Sequence, residues 1–222
     1  MKKLLKYLPL LFLLSCGACS MAFQDEMNEP SADHTAIVSV RQSASGTVYF
    51  QVDDQTRLLP SGDGGVFKGL ERIICGLRIS ELADPDYGCH ADVIWFEALD
   101  KGTTTSDSSV KGEDPVGILS DWMTSCEDGY LTLHYETWWG EKTIPHAFYL
   151  VTGLNPEDPY EVWLRHDAKG DGRVKKADSL VFFDLQSLPE TENGYVTLTL
   201  KWLNGEGQVA DRQFSFRSRP RQ

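Results

Sequence analysis

The chain has 222 residues, with 21 Lys and Arg against 33 Asp and Glu and a formal charge of −12. That balance argues against a nucleic-acid partner, because affinity for phosphate backbones is carried by Lys and Arg. Cys75, Cys89 and Cys126 form no C-x-x-C pair, so a zinc–thiolate site is not expected.

Lys2, Lys3 and Lys6 precede an apolar run, Tyr7 to Leu14. The run is too short to cross a bilayer as a mature helix. Leu13-Leu14-Ser15-Cys16 follows. This stretch resembles a bacterial lipoprotein signal, in which the cysteine after the cleavage point becomes the lipidated first residue. The spacing favours Cys16, with Cys19 the rival. An ordinary secretory signal with an incidental cysteine is the alternative. Residues 1–19 are read as signal and lipidation site, and 20–33 as a flexible, acidic tether. The remainder is expected in the cell envelope, held by lipid at the outer membrane. Acyl chains anchor durably because each buried CH₂ contributes roughly 0.8 kcal/mol.

Residues 34–108 read as short strands. Thr35 to Val40 alternates weakly, and Gly46 to Val52 is a clearer strand ended by Asp53-Asp54. Thr56 to Leu59 stops at Pro60 and a Gly-rich turn, followed by Gly69 to Ile79 and Ala91 to Leu99. Five strands in roughly seventy residues suit a small OB-like barrel. The helix such barrels carry between strands three and four has room here only for a turn. Cys75 is read as a small buried residue, although a Cys75–Cys89 disulfide remains possible in an oxidising compartment.

Thr103 to Ser109 is a break in composition and the expected domain boundary. Residues 109–218 then read as an antiparallel β-sandwich. Gly129 to Gly153 is expected to be a long hairpin turning at Gly140-Glu141-Lys142. Leu131, Leu133, Tyr135, Thr137 and Trp139 share one face of its first arm, and Ile144, His146, Phe148 and Leu150 one face of its second. Trp138 and Trp139 cannot both point inward. Tyr160 to His166, Leu180 to Leu185, Tyr195 to Leu203 and Gln208 to Phe216 complete the strands. The fold class is therefore all-β: an OB-like barrel followed by a sandwich.

Several segments together resemble the NigD-like lipoprotein family. They are the signal, the OB-like module, Gly112-Glu113-Asp114-Pro115, Gly129-Tyr130-Leu131, Pro145 to Val151, and Glu161 to Ala168. The last departs at Asp167, where the family has an amide. The resemblance implies a barrel, a sandwich and an immunity-like role, with no catalytic activity or cofactor.

The candidate chemistry is sparse. His146 and His166 lie on apolar strand faces and would meet if their strands pair. They are read as core histidines with hydrogen-bond partners. The alternative is a metal-dependent envelope enzyme built on His146 and His166, with Asp167 the obvious third ligand. Asp167 to Gly172 with Asp178 superficially matches a calcium loop, but Lys169 stands where an oxygen is needed. Trp95 and Trp202 are assigned to the core. Trp138, Trp139, Trp163 and Arg165 are the candidate contact patch for a protein or glycan partner. No hydrolase elbow, P-loop or H-E-x-x-H occurs.

Overall fold

The computed structural model describes residues 32–140, 144–192 and 194–219. The signal, Cys16, Cys19, almost all of the tether and the Glu141-Lys142 turn lie outside the described residues.

β1 (His34–Gln42), β2 (Val48–Gln51), β3 (Arg57–Pro60), β4 (Arg72–Asp84) and β5 (Gly88–Ala98) close a barrel in the order β1-β2-β3-β5-β4. The β3–β5 pair is parallel and the others are antiparallel. Alternation places Val38, Phe50, Leu58, Ile73, Cys75 and Leu77 inside. Between β3 and β4 there is one 3-10 turn, Gly65–Phe67, in place of a helix. Its Phe67 packs edge-on against Phe50, 5.0 Å between ring centres.

The sandwich starts earlier than composition suggested. β6 (Asp100–Lys101) pairs with β13 (Lys175–Asp184), and β7 (Thr103–Thr105) pairs with β11 (Ala147–Thr152). The chain therefore leaves the barrel at Ala98 and enters both sheets within a few residues, so the expected boundary at 108/109 falls inside the sandwich. Threonine is a good strand former, and the Thr-rich stretch serves as an edge strand instead of a linker. One sheet runs β6-β13-β10-β8, with β10 (Tyr130–Trp139), β8 (Gly117–Ile118) and β9 (Ser125–Glu127) beside β10. The other runs β15-β14-β12-β11-β7, adding β12 (Glu161–Asp167), β14 (Val196–Leu203) and β15 (Val209–Phe216). Several pairs are parallel, so the sheets are mixed rather than purely antiparallel.

The expected Gly129–Gly153 hairpin does not form. β10 pairs with β13, and β11 with β12, in opposite sheets. The two apolar faces assigned to the arms meet across the core, with the Tyr135 and Phe148 rings 4.5 Å apart. Each arm buries its stripe against the other instead of sharing a ladder.

β10 is buried on both faces along its first half because the barrel covers the outer one. Arg72 of β4, 1% exposed, donates from Nε to Thr132 Oγ1 and from Nη1 to Ser39 Oγ, both at 2.8 Å. Arg41 pairs with Asp128. The guanidinium groups of Arg41, Arg72 and Arg219 lie 5.3, 5.4 and 4.2 Å from the Tyr130 ring centre. Burial pulls the Arg72 pKa down to about 10 against the opposing attraction of Asp128.

Trp202 is buried, but Trp95 is 44% exposed and not in the core. It lies on the outside of the β4–β5 ladder over Gly76, where any Cβ would meet its indole nitrogen at 2.2 Å. Cys75, Cys89 and Cys126 are free thiols.

Candidate functional site

Three of the segments singled out in the sequence converge at one end of the sandwich. Gly112 to Pro115 runs beside β12, bridging from Glu113 to His166. The Asp114 backbone N–H donates to the His166 carbonyl at 3.0 Å, and the Ala168 N–H donates to Asp114 Oδ2 at 2.8 Å. Gly112 has φ 144°, and a Cβ there would sit 3.0 Å from the His166 carbonyl carbon. Only glycine allows this approach.

From this contact a hydrogen-bonded chain runs through the two histidines. His166 Nδ1 lies 3.3 Å from the Asp114 carbonyl oxygen, and His166 Nε2 lies 2.9 Å from His146 Nδ1. His146 Nε2 lies 3.4 Å from Asp171 Oδ2. The Asp114 carbonyl can only accept, so His166 carries its proton on Nδ1 and accepts at Nε2 from His146. The side chains of His146 and Asp171 are 0% and 3% exposed. His146 stacks on Trp139 at 4.1 Å, and His166 on Phe148 at 4.6 Å.

Burial, reinforced by the charge of His146, holds the His166 pKa below its ordinary value. The Gly140 N–H donates to Asp171 Oδ2 at 2.7 Å and the Gly172 N–H to Oδ1 at 2.9 Å. The Gly140 bond above all keeps the Asp171 carboxyl below the usual range. The loop after β12 is thereby tied to the end of β10.

Asp167 does not join the histidines. Its Oδ1 accepts from the Lys169 N–H in its own loop. Among the described residues, no group of three or more His, Cys, Asp or Glu is placed to hold a metal ion. Asp178, the last position of the calcium-like pattern, lies on β13. There it contacts His134 Nε2 at 2.9 Å, while Asp121 contacts His134 Nδ1 at 2.6 Å. Burial opposes charge on His134, but the two carboxylates outweigh it and raise its pKa.

Over the Asp114–His166–Asp171 floor opens a cleft of about 440 Å³. Glu136 and Trp138 of β10 line it together with Lys176, which stands beside Trp138 on β13, and with Arg173 and the Asn204–Glu206 turn. The four residues of the expected contact patch do not come together. Trp138 reaches the cleft, 44% exposed. Trp139 points inward onto His146. Trp163 and Arg165 lie on the outer face of the opposite sheet, where Arg165 pairs across the ladder with Tyr149 and Lys201 approaches the Trp163 ring. Sequence reasoning missed Arg173, Asn204 and Glu206. The available signal was the pair of Gly-rich turns carrying them, Gly170 to Gly172 and Asn204 to Gly207.

A closed OB-type barrel followed by a two-sheet sandwich defines a class of two-module β-proteins. Residues 98–216 match the NigD-like C-terminal beta sandwich domain, and the chain belongs to the NigD-like family. The match begins where the chain leaves the barrel. Among solved structures, a Parabacteroides distasonis protein described as toxin related is 25% identical, with 83% of this chain and 93% of that one covered and a TM-score of 0.66. A NigD-like immunity protein from Bacteroides caccae is 18% identical over 81% and 91% of the two chains, with a TM-score of 0.55. A protein from Bacteroides fragilis, described as a candidate lipoprotein, is 14% identical over 84% and 98%, with a TM-score of 0.59. The last two likenesses concern the fold alone. No curated protein matches the chain.

Proposed function

We propose that this protein is a non-catalytic lipoprotein of the cell envelope that presents its sandwich-end cleft to a protein or glycan partner. The observation that carries the reading is the convergence of Asp114, Pro115, His166, Ala168 and Asp171 on one open cleft, with His146 hydrogen-bonded to His166. Every hydrogen-bonding nitrogen of the two imidazoles is spent on a neighbour, which suits a rigid scaffold better than a reacting centre. The signal-like residues 1–19 and the lipoprotein description of the Bacteroides fragilis relative support anchoring through Cys16 at the outer membrane. The Bacteroides caccae relative supports an immunity-like or accessory role. The charge of −12 disfavours nucleic acid as the partner.

Site-specific photocrosslinking in intact cells tests this reading. A photoreactive residue at Trp138 or Arg173 is expected to give an adduct of defined mass, and one at Gln213 on the outer face of the opposite sheet is not. Equal labelling from all three positions, or none from the cleft, contradicts it. So would turnover of an envelope substrate that His166→Ala abolishes, which would restore the metal-enzyme reading if stoichiometric metal accompanied it.

A further inference from the structure

Resting on that reading, the geometry points to a neutral saccharide as the ligand of the cleft, with Trp138 as its stacking platform. The cleft, at about 440 Å³, falls within the range of roughly 300–1,000 Å³ typical of small-ligand sites. Its single large apolar surface is the half-exposed indole of Trp138. That exposure has a local cause. The adjacent Trp139 takes the inward position, and the barrel covers β10 only as far as its first half. An indole held at the rim of a concave site offers a flat apolar face and a polar edge, the complement of a pyranose ring with its C–H face and hydroxyl rim.

The polar groups around it fit the same class. Arg173 forms no ion pair among the described residues, and its planar fork suits two neighbouring oxygens. Asn204 Oδ1 accepts from the backbone N–H groups of Glu206 and Gln208, which leaves its NH₂ to donate. The Glu206 carboxylate has no partner among the described residues and can accept. Vicinal hydroxyls both donate and accept, so they use such a mixed set in full. The floor beneath is fixed by Asp114, His166 and Asp171, which removes much of the ordering cost of binding.

Charge decides which saccharide. Four carboxylates (Asp114, Glu136, Asp171 and Glu206) line the cleft against two cations, and one of those, Lys176, is already paired with Glu136. A uronate or phosphorylated sugar would enter a negative site, whereas a neutral one pays no such cost.

The test uses the full-length lipidated protein in a non-glycosidic detergent, titrated with maltohexaose, cellohexaose, mannohexaose, xylohexaose and hexagalacturonate while tryptophan emission is followed. At least one neutral hexasaccharide is expected to shift the emission. Trp138→Ala should weaken its binding about tenfold or more without lowering the melting temperature, and Arg173→Ala should weaken it several-fold. Hexagalacturonate should bind at least about tenfold more weakly. No response to any neutral sugar, equal binding by Trp138→Ala, or equal affinity for hexagalacturonate overturns the proposal. If no sugar binds while the cleft positions still crosslink a protein, the saccharide assignment falls and the binding-module reading stands. If neither occurs, both fall.

Discussion

His146 Nδ1 lies 2.9 Å from His166 Nε2, joining the start of the β11 arm to the middle of its own sheet beneath the cleft. Removing one ring strands a buried polar atom on the other. His166→Ala should therefore cost about 2–3 kcal/mol, read as a lower urea midpoint with an unchanged slope. A loss below about 0.5 kcal/mol would mean that the pair is not load-sharing in solution.

The same pair predicts a pH dependence. The folded-state pKa of His166 is depressed, mainly by burial. Its contribution is therefore complete above the ordinary value of 6.5 and is lost as pH falls through the folded value, because the unfolded chain takes the proton first. His134 has the opposite sign. Its pKa is raised by Asp178 and Asp121 against burial, so its contribution is complete below 6.5 and fades as pH rises through the folded value. Denaturant midpoints from pH 5 to 9 should show His134→Gln losing more stability at the acid end. Asp178 is largely exposed, so solvent screening keeps the difference small. A loss independent of pH would contradict the clamp.

Gly140 should tolerate no side chain. A Cβ would sit 2.2 Å from Asp171 Oδ1 and 2.8 Å from the Gly172 nitrogen. Gly140→Ala must displace the carboxylate that faces His146, at roughly 2 kcal/mol. Two-dimensional NMR should show the His146 and His166 ring signals moving together, whereas ring signals that stay in place would mean the loop adjusts on its own.

How much of this was readable from sequence depended on whether a feature was local. Period-two alternation located the strands and placed His146, Phe148 and Leu150 on one face, because a half-buried strand records its burial in its own residues. Alternation says nothing about which strand lies alongside. Adjacent arms therefore looked like a hairpin when β10 and β11 belong to opposite sheets. Trp95 looked like core because nothing local reveals that Gly76 opens a slot outside the barrel. The cleft was harder still, since Asp114, Arg173 and Asn204 come from separate loops that only the topology brings to one end.

Arg72 couples the two modules, so its loss should be felt by both. Its Nε and Nη1 are satisfied by Thr132 and Ser39, while Nη2 is buried without a partner among the described residues. Arg72→Ala strands two buried hydroxyls and opens a void beside Tyr130, costing about 3–5 kcal/mol. A double-mutant cycle with Thr132→Val should return a coupling of about 1 kcal/mol or more. Calorimetry should show one transition in the native protein and a separate, earlier barrel transition in Arg72→Ala. Simple additivity would mean that the seam is held by its other contacts, such as Arg41 with Asp128 and Tyr195 with Asp54.

The thiols give a last, independent check on the barrel. In the β4–β5 ladder Cys75 stands opposite Phe96 and Cys89 opposite Ala83, at different ends, so the two do not bridge. Burial pushes the Cys75 thiol up to about 12, and burial with Glu127 nearby does the same for Cys126. Thiolate is the reactive form, so neither should react at pH 8 in the folded state. Cys89 is only half-buried. With Cys16 and Cys19 replaced by serine, Ellman's reagent should consume about one thiol quickly and about three in guanidinium without reductant. Fewer than three after unfolding would reveal a disulfide and contradict the ladder register. Fast reaction of Cys75 in the native protein would mean that the barrel opens far more readily than its closed hydrogen-bonding implies.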